Sequence, residues 1–178
     1  MDPIQLGPDV EMRELQPDDA DTVYGLMDAE RDRLGQWLPF VHWSDSAQVT
    51  RAFIEESRTS DSGVDGLGIW MGGEFAGGIG LRIDPVHNSG EIGYWLGSQF
   101  EGRGLVTAAC RALIDLAFGE MGLHRVTVVA EPENLRSRAI PERLGFKREA
   151  LLRDSCKVGD RYEDVHVYGL LDGEWPAS

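Results

Sequence analysis

An α+β fold built on a mixed central sheet is predicted for this chain, from three observations. Residues 67–71 and 75–83 are apolar runs joined by Gly72-Gly73, the mark of a tight antiparallel hairpin. Residues 105–120 carry Leu105, Ala109, Leu113, Leu116 and Ala117 at helical spacing, which gives that helix one buried face. Residues 125–130 contain Val-Thr-Val-Val, a buried strand reached through that helix and therefore parallel to the strand before it. Antiparallel hairpins and a parallel crossover in one chain call for a mixed sheet.

The remaining elements fall into order around these. Residues 10–15 alternate weakly and read as the first strand. Pro17-Asp18-Asp19-Ala20 opens a helix to about residue 30, with acidic side chains in its first turn. A second helical pattern covers residues 47–57, after an aromatic-rich connection. The turn Asp84-Pro85-Val86-His87-Asn88-Ser89-Gly90 feeds a strand over residues 91–96. A short helix over residues 135–144 stops at Gly145, a helix-ending signal. Residues 146–152 and 162–171 form the last strands, turned at Val158-Gly159-Asp160. The order is β-α-α-β-β-β-α-β-α-β-β, with about seven strands and about four helices. No repeat, low-complexity tract or linker divides the chain, so residues 1–178 read as one domain.

Composition narrows the function. The 31 acidic residues against 17 basic ones leave a net charge of −14, which argues against nucleic acid as a partner. A negative field attracts a cationic acceptor such as an amine, although plain solubility is the favoured explanation of the charge. The apolar runs are too short to cross a membrane, and the acidic start Met1-Asp2-Pro3 is no signal peptide, so a cytoplasmic protein is expected. Cys110 and Cys156 make neither a disulfide framework nor a metal cluster, and the four histidines are scattered; no metal is expected.

The most informative segment is Gln99-Phe100-Glu101-Gly102-Arg103-Gly104-Leu105-Val106-Thr107. A glycine-bearing loop between a strand and a helix leaves unpaired N–H groups facing outward at the positive end of a helix dipole, a site for phosphate. A dinucleotide fingerprint fails because three strands already precede the loop and no third glycine follows. A P-loop fails because Gly-Lys-Ser/Thr is missing, and the only lysines are Lys147 and Lys157.

Gln99, Gly102 and Gly104 do fit Q-x-x-G-x-G, the pyrophosphate-binding signature of the Gcn5-related N-acetyltransferase (GNAT) superfamily. The chain resembles its RimJ/RimL branch, which acetylates the N-termini of ribosomal proteins. The resemblance continues through Gly90-Glu91-Ile92-Gly93-Tyr94-Trp95-Leu96-Gly97, Asn134-Leu135-Arg136-Ser137, Pro141-Glu142-Arg143-Leu144-Gly145-Phe146, Gly159-Asp160-Arg161-Tyr162-Glu163-Asp164 and Tyr168. It covers nearly the whole chain, in order.

That resemblance implies a GNAT fold whose strand before the loop carries a bulge and splays from its parallel neighbour. Coenzyme A lies in the splay, its pyrophosphate on Gln99, Gly102, Arg103, Gly104, Leu105 and Thr107, and its pantetheine arm along Tyr94, Trp95 and Leu96. Asn134 contacts the same arm and also suits the start of the following helix. A protonated amine is no nucleophile, and Glu91 is the candidate base, through water; a structural carboxylate is the equal alternative. Many family members protonate the leaving thiolate with a tyrosine where this chain has Pro141. Proline cannot donate to the carbonyl of Ser137, so Ser137 offers a freed carbonyl and a hydroxyl; the resemblance to RimL-like members, which use a serine at this position, makes it the candidate proton donor or hydrogen-bond partner.

Trp37, Phe40 and Tyr162 are candidates for the acceptor groove, with core or subunit contacts as the alternative for the aromatic segment. The expected reaction is acetyl transfer from acetyl-CoA to a primary amine in a ternary complex, best a protein N-terminal α-amine. A polyamine, amino acid or aminoglycoside acceptor stays open, as does a non-catalytic acyl-CoA-binding module. Exposed aromatics are compatible with a homodimer or higher homo-oligomer.

Overall fold

The computed structural model describes residues 1–59 and 63–176. Two strands open the chain, β1 (Ile4–Gly7) and β2 (Val10–Glu14). A 3-10 turn at Pro17–Asp19 then leads into α1 (Ala20–Ala29) and the four-residue α2 (Arg31–Leu34). A second 3-10 turn at Pro39–His42 precedes α3 (Ala47–Thr59). The meander β3 (Gly63–Met71), β4 (Glu74–Asp84) and β5 (Ser89–Leu96) follows. Next come α4 (Leu105–Phe118), β6 (Arg125–Ala130), α5 (Leu135–Arg143), β7 (Lys147–Val158) and β8 (Arg161–Leu171).

All eight strands join one sheet in the order β1-β2-β3-β4-β5-β6-β8-β7. Only β5 and β6 are parallel; the other neighbours are antiparallel. The mixed sheet and α+β class match the sequence expectation, with one strand more than the seven expected. The addition is β1, and β7 runs on beyond residue 152 to Val158.

Helices pack on the sheet unequally. Leu105, Ala109, Leu113, Ile114 and Ala117 of α4 cover one face, against Leu67, Ile69, Leu81, Ile92, Val126 and Val128. On the other face α1 and α3 bury Val23 and Ile54 against Leu15, Trp70 and Phe75. A run of edge-to-face rings, Trp70 to Phe75 at 5.2 Å and Phe75 to Trp95 at 5.6 Å, carries this second cluster as far as β5. Beyond it, the chain after α2 meets the start of β8, where Arg161 Nη2 donates to Gln36 O at 3.5 Å.

The β5–β6 pairing positions the site. It consists of Ser89 with Arg125, Gly90 with Val126 and Glu91 with Thr127, and it stops there. From Ile92 onward β5 stays on β4 as far as Leu96, while β6 stays on β8 as far as Ala130. The two strands therefore splay, as the resemblance implies. No bulge marks the β4–β5 ladder, whose register is unbroken from Asp84 and Ser89 to Gly77 and Leu96. The splay arises from divergence of two straight ladders.

Leu113 has no exposed surface and sits at the centre of the α4 face. Leu113→Ala should cost about 2–5 kcal/mol of unfolding free energy, read from the shift of the urea midpoint at unchanged slope.

Candidate active site

The splay leaves backbone groups without a ladder partner. Gly97 N–H donates to Ala76 O at 2.8 Å, and antiparallel bonding alternates along a strand. Trp95 is therefore turned toward β4, while Tyr94 and Leu96 turn their N–H and C=O groups toward the side where β6 has departed. The Leu96 carbonyl accepts Arg33 Nη2 there at 2.7 Å. Of the three strand residues expected along a pantetheine arm, Tyr94 and Leu96 thus face the opening. The Trp95 ring is packed with Phe75 on the far face, and its backbone bonds run to β4.

Where β5 ends, the glycine loop delivers the start of α4. Gly102 and Gly104 have φ of +75° and +76°, a left-handed conformation that costs a residue with a Cβ about 1–2 kcal/mol. A Cβ at either position would meet nothing within 4 Å. Backbone conformation, not crowding, selects glycine here. The first helical bond of α4 is Ala108 N–H to Gly104 O at 3.0 Å, so the amides of Leu105, Val106 and Thr107 lie ahead of the helical ladder. Among the described residues no side chain caps them. Three free amides at a helix N-terminus make an anion cradle, which fits a pyrophosphate.

The side chains around the cradle differ from the sequence expectation. Arg103 turns away, its Nη1 3.8 Å from Met71 Sδ, and with Gln99 it lines a cleft shared with Asp9 and Glu74. Thr107 accepts Arg143 Nη1 on its hydroxyl at 2.9 Å, which brings a cation from the end of α5 to the cradle. Glu101 binds Arg33 Nη1 at 2.9 Å through one oxygen and Arg136 through the other. This carboxylate ties α2, the loop and α5 together across the mouth of the splay.

Asn134 is the first residue ahead of α5, and its Oδ1 accepts Ser137 N–H at 3.1 Å. The carbonyl of Ser137, released by Pro141, accepts the Tyr94 hydroxyl at 2.8 Å. Ser137 Oγ in turn donates to the Tyr94 oxygen at 3.3 Å. Burial holds the Tyr94 phenol well above its ordinary pKa, so it stays protonated. The pair spans the splay from β5 to α5.

Glu91 is exposed and lies at the closed end of the splay, at the last paired position. Thr127, opposite it, and Val129 further along β6 share its face of the sheet. At the open end of that floor stands Glu131, which the sequence reading did not single out. It is 9% exposed, and its Oε1 is buried without a hydrogen-bond partner among the described residues. Burial pushes its carboxyl up to about 7; Glu163 adds to this and Arg161 opposes it. Cys156 of β7 lies against the same two glutamates, which with burial raise its thiol pKa. A register shift in β7 places Cys156 opposite Glu163, and Asp164 holds that irregularity by accepting Asp154 N–H at 2.9 Å.

The candidate acceptor residues flank this floor at a distance from the cradle. Phe40 is half-buried against the Met27, Leu34 and Val41 cluster, and Trp37 is half-buried one turn beyond α2. Tyr162 is 62% exposed on the β7–β8 hairpin. Between hairpin and α2 lies an open cleft of about 380 Å³ lined by Arg31, Gln36, His42 and Arg161. Among the described residues no group of three or more His, Cys, Asp or Glu is placed to hold a metal, and no helix is long and apolar enough to cross a membrane.

A family model described as an acetyltransferase (GNAT) domain matches residues 9–147. The chain belongs to the GNAT acetyltransferase family. It is an acetyl-CoA-dependent N-acetyltransferase. The enzyme is 39% identical over 170 residues to "Putative ribosomal N-acetyltransferase YdaF" of Bacillus subtilis, which covers 93% of each chain. A crystal structure named as a probable acetyltransferase matches it with a TM-score of 0.91 at 38% identity, over 97% of this chain and 98% of that one. RimJ of Mycobacterium smegmatis, solved in complex with CoA-disulfide, matches with a TM-score of 0.86 at 26% identity, over 95% and 85%.

Glu131 generates a pH dependence of stability. Its folded pKa lies above the ordinary 4.5, so its contribution is fully present below that value and is lost as pH rises through about 7. The Tm of the wild type relative to Glu131→Gln should therefore fall between pH 4.5 and 8, by about 3 °C for each kcal/mol lost, in paired calorimetric scans.

Proposed function

We propose that residues 1–178 act as one domain that acetylates a protein N-terminal α-amine, with ribosomal proteins as the acceptor class. The observation that carries this reading is the likeness, over 93% of both chains, to a relative named for ribosomal N-acetylation. The acidic floor of Glu91, Glu131 and Glu163 beside the splay supports it, since an N-terminus arrives as a cation.

The donor supplies an activated acetyl thioester. Gly102, Gly104 and the amides of Leu105, Val106 and Thr107 hold its pyrophosphate, with Arg143 at the rim. The exposed backbone of Tyr94 and Leu96 takes the pantetheine arm like an added strand, beside Asn134. Ser137 is braced by Tyr94, and its O–H turns from the Tyr94 oxygen to the departing sulfur. Trp37, Phe40 and Tyr162 border the acceptor. Glu91, exposed at the closed end of the floor, adds negative charge there.

Three measurements test this. Peptides from a cell extract incubated with isotopically labelled acetyl-CoA should gain label on α-amines, ribosomal N-termini among them, by mass spectrometry. Label on polyamines alone would replace the acceptor class, and coenzyme binding with no turnover would leave a binding module. Ser137→Ala should lower kcat about ten-fold while coenzyme A affinity, by calorimetry, stays at the wild-type value. Gly104→Ala should do the reverse, weakening coenzyme A binding about ten-fold by straining the cradle.

A further inference from the structure

The splay has a carboxylate at each end of its floor, and the two differ in kind. Glu91 is exposed, at the closed end where β5 and β6 still pair. Glu131 is nine-tenths buried, directly beyond the end of β6. Four residues of strand separate Thr127, the partner of Glu91, from Glu131, about 13 Å.

Glu131 is also fixed relative to the groups at the open end. Its carbonyl accepts Asn134 N–H at 3.0 Å, and Asn134 in turn holds the Ser137 amide. Its own Oε1 is buried and has no donor among the described residues. A buried acceptor without a partner is costly, and a cationic N–H donor from a bound ligand relieves that cost. The groups that face it from the neighbouring strands are Glu163 and Arg161 of β8 and Cys156 of β7.

We infer that Glu131, rather than Glu91, is the general base, binding the acceptor ammonium through Oε1 and taking its proton. The N–H bond breaks and an O–H bond forms on Glu131, leaving the nitrogen lone pair free. As the C–N bond to the acetyl group forms, the C–S bond of the thioester breaks. The sulfur leaves with that electron pair, and the second proton shed by the nitrogen as the amide forms passes through water to the thiolate at the Ser137 end. A desolvated carboxylate suits this work, because its affinity for a proton is already matched to neutral pH. The inference rests on the amine acetyltransferase reading and assigns its base.

The test uses the full-length enzyme, with a peptide bearing a free N-terminal serine and with spermidine as acceptors. Glu131→Gln should lose about 100-fold or more in kcat at pH 7, and the deficit should shrink toward pH 9.5, where free amine is supplied by solution. Glu91→Gln should keep the wild-type pH profile. Glu131→Asp, which retains a carboxylate, should recover part of the activity. Independently of turnover, the carboxyl carbon of Glu131 in ¹³C-labelled protein should titrate near pH 7 by NMR, with and without coenzyme A.

A wild-type kcat in Glu131→Gln, loss of the pH limb in Glu91→Gln instead, or titration of Glu131 with the ordinary carboxylates overturns the assignment while the acetyltransferase reading stands. A wild type that acetylates neither amine overturns the acceptor reading, and the role of Glu131 with it.

Discussion

A three-residue ladder sets the terms for the rest of this molecule. Beyond Glu91 and Thr127, two strands in the middle of a sheet cease to bond each other, although each keeps its outer neighbour. Backbone N–H and C=O groups in such a place need partners, because an unmatched buried pair costs as much as a lost hydrogen bond. The fold supplies only part of the match. Arg33 fills the Leu96 carbonyl from α2, and α4 begins where β5 ends, with its own first amides unclaimed. The remaining unmet groups form a strand-shaped slot closed at one end and terminated by an anion cradle at the other.

Proline 141 links this slot to α5. A missing N–H in the middle of a helix is ordinarily a defect, yet here the released Ser137 carbonyl becomes the acceptor for Tyr94. The helix is held independently from behind, where Tyr168, buried on β8, donates to Glu142 at 2.9 Å and accepts Arg138 Nε at 3.0 Å. The serine is therefore placed by bonds on both sides of its helix. Buried networks of this kind rigidify when every member is satisfied.

Much of this was legible from residues close in sequence. The α4 stripe, the Gly72-Gly73 hairpin and the buried run of β6 are periodic signals, and the structure follows them closely. β1 escaped because four residues with alternate burial carry little pattern. The last part of β7 escaped because residues 153–157 are interrupted by an irregular register and a left-handed Asp154. The freed Ser137 carbonyl followed from proline chemistry alone, but its partner lies 43 residues away. Glu131 was hidden for the same reason. Nothing in the local sequence Glu131-Pro132-Glu133 marks it as buried, yet in the folded chain it is 9% exposed. The Arg33–Glu101–Arg136 tie joins segments 68 and 35 residues apart, which no local pattern reports.

The irregular register of β7 also bears on how copies of this chain meet. β7 is the outermost strand at one end of the sheet, where a straight edge invites a second sheet to zip onto it. Its ladder with β8 is broken between Leu152 and Cys156, and Lys147, Arg148, Arg153, Asp154 and Lys157 crowd the strand with charge. A second shift between Arg148 and Ala150 leaves three short stretches out of phase, which offer no continuous template. The sheet is thus protected from end-to-end growth on this side.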